Sequence, residues 1–151
     1  MRAHIQYMKK CIELGKVAML KGNPPVGSII VKDNTIIGIG KEAGVSGNDI
    51  TKHAEIEAIK DALIDHQSLS ESILYTTHEP CIMCSYVIRH YNIKTIVYGV
   101  KSKYVGGTSS SFKILETNSI PSWQEAPQII HGVLENECLE LSKTYKSIKT
   151  L

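Results

Sequence analysis

Four side chains in this sequence are of types that do chemistry together. His53-Ala54-Glu55 and Pro80-Cys81-Ile82-Met83-Cys84 supply one imidazole, one carboxylate and two thiols. One imidazole and two thiolates make a three-coordinate zinc site. Catalytic zinc sites keep the fourth position open for water, whereas structural sites close it with a fourth protein ligand. Water in the open position has its pKa lowered towards neutrality, which leaves a nearby carboxylate to move protons. His53, Cys81 and Cys84 are therefore the expected ligands of one Zn2+ per subunit, and Glu55 the expected proton carrier.

The elements that hold these residues must satisfy the spacing. Cys81 and Cys84 are three apart, so on a helix they share one face. Pro80 suits that helix's edge, where its missing N–H costs nothing, and the positive end of the helix favours thiolates. His53 and Glu55 are two apart and diverge in mid-helix; they share a pocket only at a first turn. Asn48 and Asp49 are the N-cap candidates upstream. Competing readings exist for each half. Cys-x-x-Cys alone also serves redox pairs and half zinc fingers, and His78 could close a structural site as fourth ligand. Two motifs in this order, each at a predicted helix start, favour the hydrolytic zinc site.

The chain resembles the cytidine deaminase-like superfamily, nearest the branch of tRNA adenosine deaminases and bacterial guanine deaminases. His-x-Glu followed by Pro-Cys-x-x-Cys is the zinc deaminase signature. The resemblance runs through Asn23-Pro24-Pro25-Val26-Gly27, residues 48–55, residues 76–84 and Gly132-Val133-Leu134-Glu135-Asn136-Glu137-Cys138. It implies that the backbone N–H groups of Ala54 and Cys81 approach the reacting oxygen. It implies that Glu55 takes a proton from the attacking water, gives it to a ring nitrogen and helps protonate the leaving ammonia. The loop before the first strand, which holds Pro25, and the end of the second strand would line the substrate pocket. Many members place an Asn just after that strand; here the register gives Glu42, which is either the replacement for that Asn or an exposed loop carboxylate. A homodimer with pockets beside the subunit contact is implied as well.

Composition sets the frame. A chain of 151 residues, 42% hydrophobic and 21% charged, suits one deaminase domain over 1–151 with one core. A net charge of +2 is too small to argue for nucleic acid. No signal peptide and no apolar run of membrane length is seen. With two cysteines spent on metal, Cys11 and Cys138 read as free thiols of a reducing, cytoplasmic interior.

Periodicity predicts a helix over 4–20 on Ile5, Met8, Ile12 and Val17, and a hairpin of strands 27–31 and 35–39. Helices are expected over 49–65, 81–91, 109–116 and 135–148, and strands over 72–77, 93–100 and 128–134. Ala54, Ala58 and Ala62 offer a small face for close approach to a sheet. The alternation predicts an α/β protein, a three-layer α/β/α sandwich around a mixed five-stranded sheet. A long link before the last strand fits a parallel final pair. Tyr104 and Trp123, in that link, are candidate lids for stacking on a planar heterocycle, or else part of a loop cluster covering the sheet edge.

The function expected from these features is zinc-dependent hydrolytic deamination of a purine-like base, nucleoside or related aminoheterocycle, with guanine-like rings favoured by Glu42. The alternative is a tRNA wobble-adenosine deaminase. Against it stand the extended 118–126 stretch and a final helix whose Lys143, Lys146 and Lys149 have no Arg beside them. A structural zinc-bound interaction module is the non-enzyme reading.

Overall fold

The computed structural model describes residues 1–150, in the order α1 (Arg2–Leu20), β1 (Gly27–Lys32), β2 (Thr35–Lys41), α2 (Ala54–Asp65), β3 (Ile73–His78), α3 (Ile82–His90), β4 (Thr95–Val100), β5 (Gln128–Ile130) and α4 (Glu135–Lys149). The five strands form one mixed sheet in the order β2-β1-β3-β4-β5. β1 runs antiparallel to β2 and β3, while β3, β4 and β5 are mutually parallel. The expected sandwich and the parallel final pair are therefore present. No helix among the described residues is long and apolar enough to cross a membrane.

Alternation along the strands sends side chains to two apolar layers. Ile30, Leu74, Ile96 and Tyr98 pack with Ala58, Ile59, Ala62 and Ile88 of α2 and α3. Ile29, Val31, Tyr75 and Val97 pack on the other face with Met8, Cys11 and Ile12 of α1 and with Cys138 and Leu141 of α4. The buried stripe of α1 is Met8, Cys11, Ile12, Gly15 and Ala18. Val17, expected in that stripe, is instead 38% exposed.

Helix α2 lies very close to the hairpin. A Cβ added at Gly40 would stand 2.0 Å from the Ala54 carbonyl oxygen, and one at Gly38 would stand 2.3 Å from that of Ala58. Small residues on both sides permit this approach, as the alanine face predicts. The hairpin turns on Asp33 and Asn34, both with positive φ, as a tight two-residue connection requires. β2 is an outer strand, and its Ile39 N–H donates to Asp61 Oδ2 of α2 at 2.8 Å.

Three expectations about elements are corrected. Helix α2 starts at Ala54 and not at Asp49. Asp49 turns its carboxylate to the Thr51 N–H and hydroxyl, at 2.9 and 2.7 Å, and Asn48 has a φ of 50°. These local bonds compete with helix, and neither residue is the N-cap. The 109–116 helix does not form. The Ser109 N–H goes to Glu79 and the Phe112 N–H to Ser110 Oγ, so the backbone donors of a first turn are spent elsewhere. The last strand stops at Ile130 instead of reaching Leu134, because Gly132 and Leu134 both take positive φ and turn the chain into α4.

Candidate active site

Helices α2 and α3 both begin at the same place. His53 is the N-cap of α2 and Cys81 the N-cap of α3, each with extended φ and ψ, and Cys84 lies in the first turn of α3. N-cap side chains project past the helix end, which lets His53 and Glu55 reach one pocket although only two residues apart. Both positive helix ends face the thiols and the Glu55 carboxylate, an arrangement that favours negative charge.

The His53, Cys81 and Cys84 ligand atoms lie within 4.8 Å of one another. His53 Nδ1 is 3.4 Å from each sulfur. A tetrahedral zinc with Zn–S of about 2.3 Å and Zn–N of about 2.05 Å separates those atoms by about 3.5 Å. Soft thiolates with one imidazole are a zinc donor set, so the residues fit the ion. His78, the possible fourth ligand, is committed elsewhere: its ring nitrogens meet Thr77 Oγ1 at 2.9 Å and Ser142 Oγ at 2.7 Å. Among the described residues the cluster offers three protein donors, which suits an open position.

Electrostatics within the cluster follow from its crowding. The Cys84 thiol bonding to it pulls Cys81 down to about 4, against burial, with His53 adding to the pull. Cys81 in turn raises His53 to about 9. Cys84 is pushed far up, by donating to Cys81 and by burial. Two thiols and an imidazole thus compete for protons that a dication displaces. Glu55 is 4% exposed and burial pushes its carboxyl upward, opposed by the Thr76 hydroxyl, which donates to Oε1 at 2.8 Å. Cys84 Sγ lies 3.6 Å from Glu55 Oε2, so the carboxylate borders the donor set. Ala54 is the first residue of α2 and Cys81 caps α3, so both N–H groups belong to helix ends without helical acceptors.

Glu42 follows β2 directly and is 9% exposed. Its carboxylate accepts from the Gly44 N–H at 3.0 Å. Burial raises its pKa, and the His53 charge opposes that rise, which puts Glu42 within electrostatic reach of the cluster. The other candidates sit differently. Pro25 is buried against α1, where its carbonyl oxygen would be 2.7 Å from a Cβ on Gly15. Tyr104 is 76% exposed, with Lys103 over its ring. Trp123 packs edge-on to Tyr86 and under the Arg89 guanidinium, 4.8 Å from the ring centre. None of these three hydrogen-bonds to His53, Glu55 or the thiols among the described residues. A concavity of about 630 Å³ beside the end of β2 is lined by Lys21, Asn23, Glu42, Glu57, Lys60 and Asp61, and neither His53, Glu55 nor the thiols line it. Donor chemistry, not volume, identifies the site.

Three supporting residues stand inside the motifs quoted for the resemblance but were given no role of their own from sequence. Thr76 holds Glu55, and strand alternation facing it towards α2 was the available signal. Asn23, buried beside α1, accepts from the Val45 and Ser46 N–H groups at 3.1 and 2.9 Å and steadies the loop after Glu42. Glu79 collects donors from residues 102–109, and no local pattern announces that.

Comparison with known proteins agrees with the site. The family described as "Cytidine and deoxycytidylate deaminase zinc-binding region" matches residues 1–100, which hold all three donors and Glu55. A "tRNA-specific adenosine deaminase" of Buchnera aphidicola subsp. Baizongia pistaciae is 35% identical over 145 residues, covering 92% of this chain and 85% of the relative. "tRNA-specific adenosine deaminase 2" of Xenopus tropicalis is 31% identical over 147 residues, covering 92% and 86%. A structure from work on "A-to-I Editing by tRNA:A34 Deaminases at the Wobble Position of Transfer RNA" superposes with a TM-score of 0.81 at 28% identity, covering 90% of this chain and 98% of the other. The guanine deaminase of Nitrosomonas europaea, at 19% identity and a TM-score of 0.76 over 95% and 84%, shares the fold. A likeness of this extent, over residues that bring a zinc donor set and a carboxylate together, means that the chain belongs to the cytidine and deoxycytidylate deaminase zinc-binding family and is a zinc-dependent hydrolytic deaminase.

Proposed function

We propose that the protein hydrolyses the exocyclic amine of a purine ring, and that its substrate is adenosine in tRNA. The observation that carries the substrate reading is the reach of the tRNA-specific relatives, which match 92% of this chain and not the metal motifs alone. It reverses the order expected from sequence, where a guanine-like ring stood first.

In this reading His53, Cys81 and Cys84 hold the zinc, which supplies a nucleophile from water at neutral pH when bound. Glu55 is the catalytic acid and base. Its carboxylate takes a proton from the attacking water, passes it to a ring nitrogen, and then helps protonate the departing ammonia. Burial and the raised pKa suit a group that must both take and give a proton near neutrality. Thr76 fixes the orientation of that carboxylate. The Ala54 and Cys81 N–H groups face the oxygen that becomes the ring carbonyl. The sum is amine plus water giving carbonyl plus ammonia.

A second reading, a guanine-like free base, is favoured by Glu42. An ionised carboxylate only accepts hydrogen bonds, so near the ring it would select an edge bearing N–H or NH₂ groups. Adenine turns lone pairs to that edge, a mismatch of about 1–3 kcal/mol or more, enough for roughly tenfold to hundredfold discrimination. Ammonia release from an anticodon stem-loop RNA with a wobble adenosine, from guanine and from adenosine decides between the two. Inosine in the stem-loop without free-base turnover is the expected result. Turnover of guanine alone, weakened in Glu42→Gln, would establish the second reading instead.

A further inference from the structure

Residues 101–127, between β4 and β5, contain no helix or strand. So long a link is uncommon unless something orders it. Two buried charges order this one, and they flank α3. Arg89, in its last turn, donates to the carbonyls of Ile114, Thr117 and Gln124 at 2.9, 2.8 and 3.1 Å. Glu79, two residues before Cys81, takes the other half. Its carboxylate accepts from the Ser102 N–H at 2.9 Å, from the Thr108 N–H and hydroxyl at 2.8 Å each, and from the Ser109 N–H at 2.8 Å. The Ser109 hydroxyl donates to it as well.

The half held by Glu79 lies directly on the metal-bearing turn. The Gly107 N–H donates to the Pro80 carbonyl at 2.9 Å, and Gly106 bridges to Cys81 itself. A Cβ on Gly106 would stand 2.3 Å from a Glu79 carboxylate oxygen, so the loop backbone rests on that group. Five donors converge on two oxygens of a residue that is 2% exposed. An acceptor-only group is required there, because an amide of the same shape would turn an NH₂ towards donors.

We propose that Glu79 is a positioning residue of the deaminase site, fixing the 102–109 segment against Pro80–Cys81 as a wall of the substrate opening. The proposal rests on the site being that of a deaminase and holds for either substrate. Glu79→Gln keeps the shape and removes the charge. It is expected to keep one zinc per chain and to raise KM about tenfold while kcat stays within about threefold, the pattern of lost substrate binding. Trypsin should also cut faster after Lys101 and Lys103, which are exposed. Ser109→Ala, at an exposed position, removes one donor and should raise KM less, in the same direction. Arg89→Lys should loosen 114–124 and lower thermal stability without raising KM. KM is measured on the stem-loop RNA, or on guanine if guanine is the substrate. An unchanged KM in Glu79→Gln and Ser109→Ala overturns the proposal, and so does a loss of kcat together with zinc. If Glu79→Gln does not fold, Ser109→Ala decides alone. If wild type turns over neither probe, the function fails and the wall is judged by cleavage, where unchanged protection of Lys101 and Lys103 refutes it.

Discussion

In the proposed mechanism His53, Glu55, Cys81 and Cys84 divide the labour, so that each has a distinct signature when lost. Glu55→Ala leaves the three donors intact and should retain zinc while losing ~10²–10⁴-fold or more in turnover. An enzyme within a few-fold of wild type would place the proton carrier elsewhere. Cys84→Ala leaves two donors, too few for a stable site, and should lose the metal; full zinc occupancy would remove Cys84 from the ligand set. His78→Ala should keep it, since both of its ring nitrogens are engaged by Thr77 and Ser142. His78 carries a second test. Burial lowers its pKa from 6.5 to about 4, so the folded protein holds it neutral where the unfolded chain protonates it. Its contribution is full above about pH 6.5, shrinks as the pH falls and is gone below about 4. Between pH 7 and 5 wild type should lose about 2 kcal/mol more than His78→Gln, read from urea midpoints. Equal losses would contradict the assignment.

At the level of elements, what could be read from sequence was what short-range pattern decides. Ala54, Ala58 and Ala62 foretold a close helix, and Gly38 and Gly40 are its counterpart on β2. The β-branched run expected as a strand over 93–100 is β4, which begins two residues later at Thr95, and the metal spacing foretold two helix starts. What could not be read depends on partners far away in the chain. Ser109 and Phe112 look helical until Glu79, some thirty residues earlier, claims the first donor. Trp123 reads as a candidate lid, but the face it would offer a heterocycle is met by Arg89. The tight contact of α2 with β2 also carries a prediction. Gly40→Ala drives a methyl into the Ala54 carbonyl and pushes the start of α2, with His53 and Glu55, off the sheet. It should cost about 1–3 kcal/mol and lower zinc content, by denaturation and metal assay. Unchanged zinc and stability would show that α2 moves freely there.

For the whole molecule, the family resemblance implies a homodimer, and two-fold dimers are the commonest oligomers. A scattering mass near 16.7 kDa at micromolar concentration would refute it. The Asp61 contact with Ile39 bears on a different fate, that of the chain at high concentration. An outer strand with free N–H groups is a template on which another chain's strand can grow. Here the Ile39 donor is already taken, and a carboxylate stands where an incoming backbone would lie. At the opposite border β5 is only three residues long, too short to seed much pairing. Asp61 is thus a guard against aggregation as well as a helix residue. Asp61→Ala should raise light scattering on mild heating well before activity changes, and equal scattering from both proteins would deny it that role.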